Sequence, residues 1–263
     1  MPTTRRALIA GSAAVAAGTL LGAPAASAQG RPGQNKPTVV LVHGAFADAS
    51  GWKDVARILQ CDGYQVLAPA NPLRSVSADS AYLASILATL TGPIVLAAHS
   101  YGGMVITNAA LGNPNVKALV YVAAFAPDQG DTLQGLQLQF PGSRLGPEAL
   151  DFRPYGEGVD GYVKPAVFRD VFAGDLPKAT TDVMAVTQRP GDVRTLQEPS
   201  GAPAWKSIPS WYLVARNDHL IPPAAQRFMA QRAGARTTEV NASHVAMISQ
   251  PRVTAAVITS AAR

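Results

Sequence analysis

Three polar residues stand where acyl-transfer chemistry would need them. Ser100 closes the stretch Pro93-Ile-Val-Leu-Ala-Ala-His-Ser100 and is followed by Tyr101-Gly-Gly103; Asp218 follows Ser210-Trp-Tyr-Leu-Val-Ala215, and His244 follows Thr237-Thr-Glu-Val240. A serine hydroxyl is a weak nucleophile. It needs a base to take its proton, a carboxylate to hold that base, and N–H donors for the oxyanion that forms. The five apolar residues Ile94 to Ala98 suit a strand buried on both faces, and Gly102-Gly103 suit an abrupt turn into a helix. Such a nucleophile elbow exposes the hydroxyl and directs the next backbone N–H at the reacting oxygen. Ala98 stands where the usual string has its first glycine, and Gly102 is the second.

The remaining parts of the site are sought at the same strand ends. Tyr101 N–H, directly after the serine, is one expected oxyanion donor. The other is the N–H of Ala45 or Phe46, in a loop that Gly44 lets approach closely. A donor of this kind supplies about 3 to 4 kcal/mol to the transition state. Asp218 is the favoured acid by position, while Asp128, after the preceding strand, is the alternative. Of the four histidines, His43 and His99 read as braces, His219 neighbours the acid and should point elsewhere, and His244 takes the base role. Nothing has paired metal ligands at helical spacing or a glycine-rich phosphate loop, so no cofactor or metal is expected.

Elements that would place these residues alternate along the chain. Apolar runs at 38–42, 64–68, 94–98, 116–124, 210–215 and 237–240 read as strands. Helical spacing appears at 50–59, 77–90, 101–111 and 222–232, and again after Pro251. Alternation of this kind implies a parallel sheet of about six strands with helices on both faces, its site at the carboxyl ends of the strands. Residues 128–201 interrupt it with frequent Gly and Pro, helical patches at Val167–Phe172 and Lys178–Thr187, and no convincing strand. This insertion reads as a small helical cap over a pocket, with a separate small domain as the alternative. Pocket walls are expected from the cap and from Phe46, Tyr101, Phe125 and Trp205, the last having a second reading as filler between cap and core.

Composition narrows the setting. The chain has 263 residues and a net charge of +5. Arg5-Arg6, an uncharged run from Ala7 to Ala23 and Ala26-Ser27-Ala28 make residues 1–28 an export signal, the paired arginines suggesting the twin-arginine route. The run is too weakly apolar for a stable membrane anchor. A polar lead-in occupies 29–36, and residues 37–263 suffice for one domain with a substantial core. The basic residues are scattered among apolar ones, so no nucleic-acid partner is indicated. Cys61, the single cysteine, leaves no internal disulfide and reads as a half-buried, inert thiol.

Four blocks, Val39-Val-Leu-Val-His-Gly-Ala45, Ala98-His-Ser-Tyr-Gly-Gly103, Ala123-Ala-Phe-Ala-Pro-Asp128 and Ser243-His-Val-Ala-Met-Ile-Ser-Gln-Pro251, occur in this order. Together they resemble the α/β-hydrolase branch that holds plant methyl esterases, hydroxynitrile lyases and bacterial esterase-like relatives. The resemblance runs from about residue 37 to the end and is weakest in the cap. It implies an α/β-hydrolase fold, a Ser100, His244, Asp218 triad, no cofactor and a small-molecule ester as substrate. Hydroxynitrile lyases of this branch carry a threonine in the oxyanion loop and a lysine directly after the catalytic histidine. Gly44 and Val245 stand at those places here, and both departures favour ester hydrolysis over cyanohydrin cleavage. A non-catalytic binding protein using the capped pocket is the third reading.

Overall fold

Strand β1 (Thr38–Val42) leads into the loop that carries His43 to Asp48, and a short turn at Ala49–Trp52 opens helix α1 (Lys53–Cys61). The computed structural model describes residues 36–263; the expected export signal, and the expected lead-in up to residue 35, lie outside them. Asp48 starts the turn by accepting the Ser50 N–H at 2.6 Å, satisfying a donor that a helix start leaves unpaired. Trp52, Val55 and Leu59 are buried at helical spacing along α1. Cys61, at the end of that helix, is exposed rather than half-buried, because it lies off this stripe.

After β2 (Val66–Leu67), helix α2 (Val76–Leu87) is capped by Ser75, whose Oγ accepts the Ala78 N–H at 3.2 Å. Strand β3 (Ile94–Ser100) is buried along its whole length and turns directly into α3 (Gly102–Ala109), followed by β4 (Val116–Ala124). The insertion then contributes α4 (Leu133–Leu138), β5 (Leu150–Tyr155), β6 (Gly158–Val163), α5 (Pro165–Phe172), α6 (Lys178–Thr187), β7 (Gly191–Asp192) and α7 (Arg194–Gln197). The core resumes with β8 (Ser210–Ala215), α8 (Pro223–Arg232), β9 (Arg236–Val240), α9 (Ala246–Ser249) and α10 (Pro251–Ala261). Proline opens both α8 and α10, where its missing N–H costs nothing.

Six of these strands form one sheet, in the order β2-β1-β3-β4-β8-β9, and every pairing in it is parallel. The fold is that of an α/β hydrolase, as expected. One irregularity matters for the site. His99 pairs with Val122 and Ser100 with Ala124, so Ala123 bulges out with φ 43° and the two strand ends are re-aimed.

The cap departs from the expectation of a purely helical insertion. Its second sheet is antiparallel, in the order β5-β6-β7, and a two-residue turn at Gly156-Glu157 joins the first two strands. Gly156 takes φ 43°, as such turns require. Pro154 and the glycines at 158 and 161 obscure the pattern in sequence. Proline is tolerated because β5 is an edge strand. Gly158 is needed because a Cβ there would lie 2.4 Å from the Asp192 carboxylate and 2.5 Å from the Tyr155 ring.

Helix α3 lies so close to β4 that a Cβ on Gly103 would sit 2.0 Å from the Phe125 carbonyl oxygen. Phe125 cannot recede, since its N–H is bound to Ser100 O at 3.1 Å. Gly103→Ala is therefore expected to lower the free energy of unfolding by about 3 kcal/mol. A urea melt with an unchanged midpoint would contradict this packing.

Candidate active site

Ser100 takes φ 54° at the end of β3, a left-handed conformation that side-chain-bearing residues rarely adopt. Small neighbours make the turn feasible. A Cβ on Gly102 would lie 2.7 Å from Val42 O, and one on Gly44 would lie 2.6 Å from the Ser100 Cβ. Both glycines thus allow the β1 loop, the serine and the start of α3 to close on one point. Ala98, where the usual motif has glycine, is fully buried with its methyl accommodated.

Asp218 and His244 come from the loops after β8 and β9 and meet in the interior, 2% and 0% exposed. His244 Nδ1 donates to Asp218 Oδ2 at 2.7 Å. The carboxylate is held from three other directions: Oδ1 accepts the N–H groups of Leu220 (2.7 Å) and Ile221 (2.9 Å), and Oδ2 accepts from Gln226 Nε2 (2.8 Å). Asp128 is remote from this pair, bound to Lys206 at 2.6 Å near the surface. Geometry therefore selects Asp218 as the carboxylate that reaches the histidine. His244 Nε2 is buried and, among the described residues, has no hydrogen-bond partner. With the proton on Nδ1, that nitrogen is the lone-pair site a general base must present.

The other histidines are placed by their protons. His43 Nε2 accepts the Asn71 N–H at 2.9 Å, so its proton lies on Nδ1, which donates to Gly44 O at 2.9 Å. His99 Nε2 donates to the His244 carbonyl at 3.0 Å, and the two rings lie 4.6 Å apart. His219 points away, its Nδ1 donating to Asp170 O at 2.9 Å. Burial lowers the pKa of His43, outweighing the bond to Gly44. It lowers that of His99 further, with the neighbouring His244 adding to the effect.

Of the expected oxyanion donors, Ala45 and Tyr101 have N–H groups with no hydrogen-bond partner among the described residues. Phe46 does not qualify, because its N–H donates to Arg189 O at 2.8 Å. The Tyr101 side chain is held by a residue that the motifs do not include. Its hydroxyl donates to Asp79 Oδ2 at 2.7 Å, and the Asp79 carboxylate also accepts the Arg74 N–H at 3.1 Å. Asp79 is fully buried, and burial raises its pKa in spite of these bonds. A signal for it exists in the sequence: Asp79 lies on the same helical stripe as Val76, Leu83 and Leu87, a carboxylate inside an apolar face.

A narrow cavity opens at Ser100. Phe46, Tyr101 and Phe125 line it from the core, while Leu133, Leu150 and Phe152 line it from the cap. Among the described residues, its walls carry no Asp, Glu, Lys, Arg or His. Trp205 is not among them; its indole donates to Pro127 O at 2.7 Å, bracing the base of the cap, which is the filler alternative. Phe46 also walls an outer groove that extends to Lys53 and Met184.

The cap reaches the base as well. Phe172 of α5 sets its ring 5.2 Å from that of His244, and Asp175 accepts both the N–H of Ser243, at 2.9 Å, and its hydroxyl.

Because the folded state lowers the pKa of His43 and His99 below the unfolded value near 6.5, their contribution is complete above that pH and is lost progressively as pH falls from there through their folded-state values. The free energy of unfolding in urea is expected to drop from pH 7.5 to 5.0, with a slope of at most about 1.4 kcal/mol per pH unit for each such histidine. His99→Gln should remove part of that slope. A flat profile would show that these rings titrate alike in both states.

Known proteins place this architecture. A family model described as the alpha/beta hydrolase family matches residues 39–257. The pyrethroid hydrolase of Sphingobium wenxiniae is 28% identical over 243 residues, covering 81% of this chain and 83% of that protein. Methylesterase 8 of Arabidopsis thaliana is 25% identical over 216 residues, covering 74% and 77%. A crystal structure of a polyneuridine aldehyde esterase mutant superposes with a TM-score of 0.75 at 20% identity, covering 86% of this chain and 99% of that one. With a family model spanning both the elbow and the histidine loop, the chain belongs to the alpha/beta hydrolase family.

Proposed function

We propose that this protein is a serine hydrolase that cleaves small or medium, uncharged carboxylic esters through an acyl-enzyme. The observation that carries the reading is the buried His244. One ring nitrogen is bound to Asp218, the other is unpartnered among the described residues, and the ring packs on His99, the residue before Ser100. In this scheme His244 Nε2 takes the Ser100 proton as Oγ attacks the carbonyl, and Asp218 stabilises the imidazolium. The N–H groups of Ala45 and Tyr101 receive the oxyanion. His244 then returns the proton to the leaving alcohol, and water repeats the sequence to release the acid. The esterase and hydrolase names of the relatives support this class.

The cavity supports the substrate class. An ionised group placed among Leu133, Leu150, Phe125 and Phe152 would be desolvated with no charged partner in the walls. Neutral acyl and alcohol groups gain instead from apolar burial. Gly44 further favours hydrolysis over lyase chemistry, since a side chain at this place would run into Ser100.

Ser100→Ala is expected to fold and to lose about 10⁶-fold in kcat on p-nitrophenyl butyrate. Asp218→Asn should lose about 10⁴-fold, whereas Asp128→Asn should stay within about twofold of the parent. Retention of most activity by Ser100→Ala would overturn the reading; tight ligand retention without turnover by the parent would revive the binding-protein alternative. Robust cyanide release from mandelonitrile with negligible ester hydrolysis would replace it with a lyase. Export through the Arg5-Arg6 signal is part of the same proposal. Amino-terminal sequencing of protein recovered outside the cytoplasm should begin at Gln29, and an uncleaved amino terminus would reject it.

A further inference from the structure

The loop that carries the Ala45 N–H is braced at its start by the His43 Nδ1 bond to Gly44 O and, beyond that, leans on the cap. Phe46 takes φ 60°, in the left-handed region that a residue with a large side chain seldom occupies. Among the described residues, Gly44 to Ala47 make a single backbone–backbone hydrogen bond, from Phe46 N–H to Arg189 O at 2.8 Å. Arg189 belongs to the cap, two residues before Gly191. That glycine lies against the loop: a Cβ on it would come 3.3 Å from the Ala45 Cβ and 3.4 Å from Thr195 Oγ1. Thr195 cannot move aside freely, because its hydroxyl donates to Asp192 O at 2.6 Å.

The far side of the same strip is anchored to the core and to the cap sheet. Asp192 N–H donates to Leu73 O at 3.0 Å. Its fully buried carboxylate accepts from Tyr155 Oη (2.6 Å), Arg194 Nε (2.8 Å) and Arg194 Nη2 (2.9 Å). Arg74, next to Leu73, adds an ion pair at 2.8 Å to Asp160, the cross-strand partner of Asp192. The cap strip is therefore rigid where the oxyanion loop is strained. A strained loop keeps its geometry only when its surroundings over-determine it.

From these contacts we infer that the cap strip Arg189–Asp192 is a positioning element for the oxyanion hole, with Gly191 setting the location of Ala45 and Asp192 anchoring the strip. The inference rests on the serine-hydrolase reading above. It makes the cap part of the rate-determining geometry as well as a cover for the pocket. Gly191 also borders the cavity at Ser100, so an effect through the Ala45 N–H is told from a narrowed pocket by kcat and ketone affinity falling while KM and butyrate inhibition hold.

The test is a graded series, Gly191→Ala and Gly191→Val, assayed with p-nitrophenyl butyrate. Pushing Ala45 aside weakens a contact made in the transition state, so kcat should fall about tenfold for alanine and about a hundredfold for valine, with KM within about threefold. Inhibition by a trifluoromethyl ketone, whose adduct places an oxyanion in the hole, should weaken in step with kcat. Inhibition by butyrate should not change. A merely structural role would lower the melting temperature while leaving kcat at 25 °C and ketone affinity intact, and that result would overturn the inference. If the valine variant does not fold, the alanine variant decides the matter, and a kcat within about twofold of the parent rejects the proposal. Ser100→Ala, run alongside, separates the two levels: activity surviving in it sinks the hydrolase reading, whereas a dead Ser100→Ala beside unaffected Gly191 variants sinks only the role of the strip.

Discussion

Everything in this structure answers to one constraint, the left-handed backbone at Ser100. A side-chain-bearing residue held there stores strain that only close packing on all sides can maintain. Gly44, Gly102 and Gly103 provide that packing, since a Cβ on any of them would overlap Ser100, Val42 or Phe125. The parallel sheet supplies the rest: β1, β3 and β4 run side by side, so the first loop, the elbow and Phe125 emerge together at one edge. The bulge at Ala123 adjusts the last pairing so that Phe125 N–H can bind Ser100 O. Strain at the serine and order around it are two aspects of the same arrangement.

The second layer of control comes from the insertion. Phe172 packs edge-on against His244, Asp175 holds both polar groups of Ser243, and Arg189 receives the Phe46 N–H. Two cap segments, the end of α5 with Asp175 and the strip at Arg189, thus grip the base loop and the oxyanion loop. The burial that keeps His43 and His99 neutral belongs to this picture. Ionised imidazoles there would repel a protonated His244, whereas neutral ones serve as directional hydrogen-bonding struts.

Much of the core is legible in the sequence because buried parallel strands read as continuous apolar runs. Val39–Val42, Ile94–Ala98 and Ser210–Ala215 have that texture, and each is followed by a chemically distinctive loop. The placement of Ser100, Asp218 and His244 after strands is readable for the same reason. What cannot be read is which carboxylate reaches His244, because that depends on how far β4 and β8 carry their ends. The choice between Ala45 and Phe46 is likewise hidden, since it turns on the single contact with Arg189. The cap sheet escapes notice because its strands are short and interrupted by Pro154, Gly158 and Gly161, residues whose presence makes sense only beside an open edge and a buried Asp192. Trp205 shows the same limit: an indole suits a pocket wall or a brace equally until its partner, Pro127 O, is known.

The pairing of β4 with β8 carries a consequence for how such chains diversify. Leu119 faces Ser210 across the sheet although the whole cap intervenes between Ala124 and Ser210. Bringing the ends of an insertion together costs entropy that grows only logarithmically, about 0.6 kcal/mol for each doubling of its length. Lengthening, shortening or exchanging the segment between these strands is therefore nearly neutral for the stability of the sheet. The toll of such an exchange falls elsewhere, on the few cap atoms that hold Ala45, Phe46 and Ser243. A lineage can vary what covers the pocket freely, provided that each new cover arrives with its own grip on those two loops.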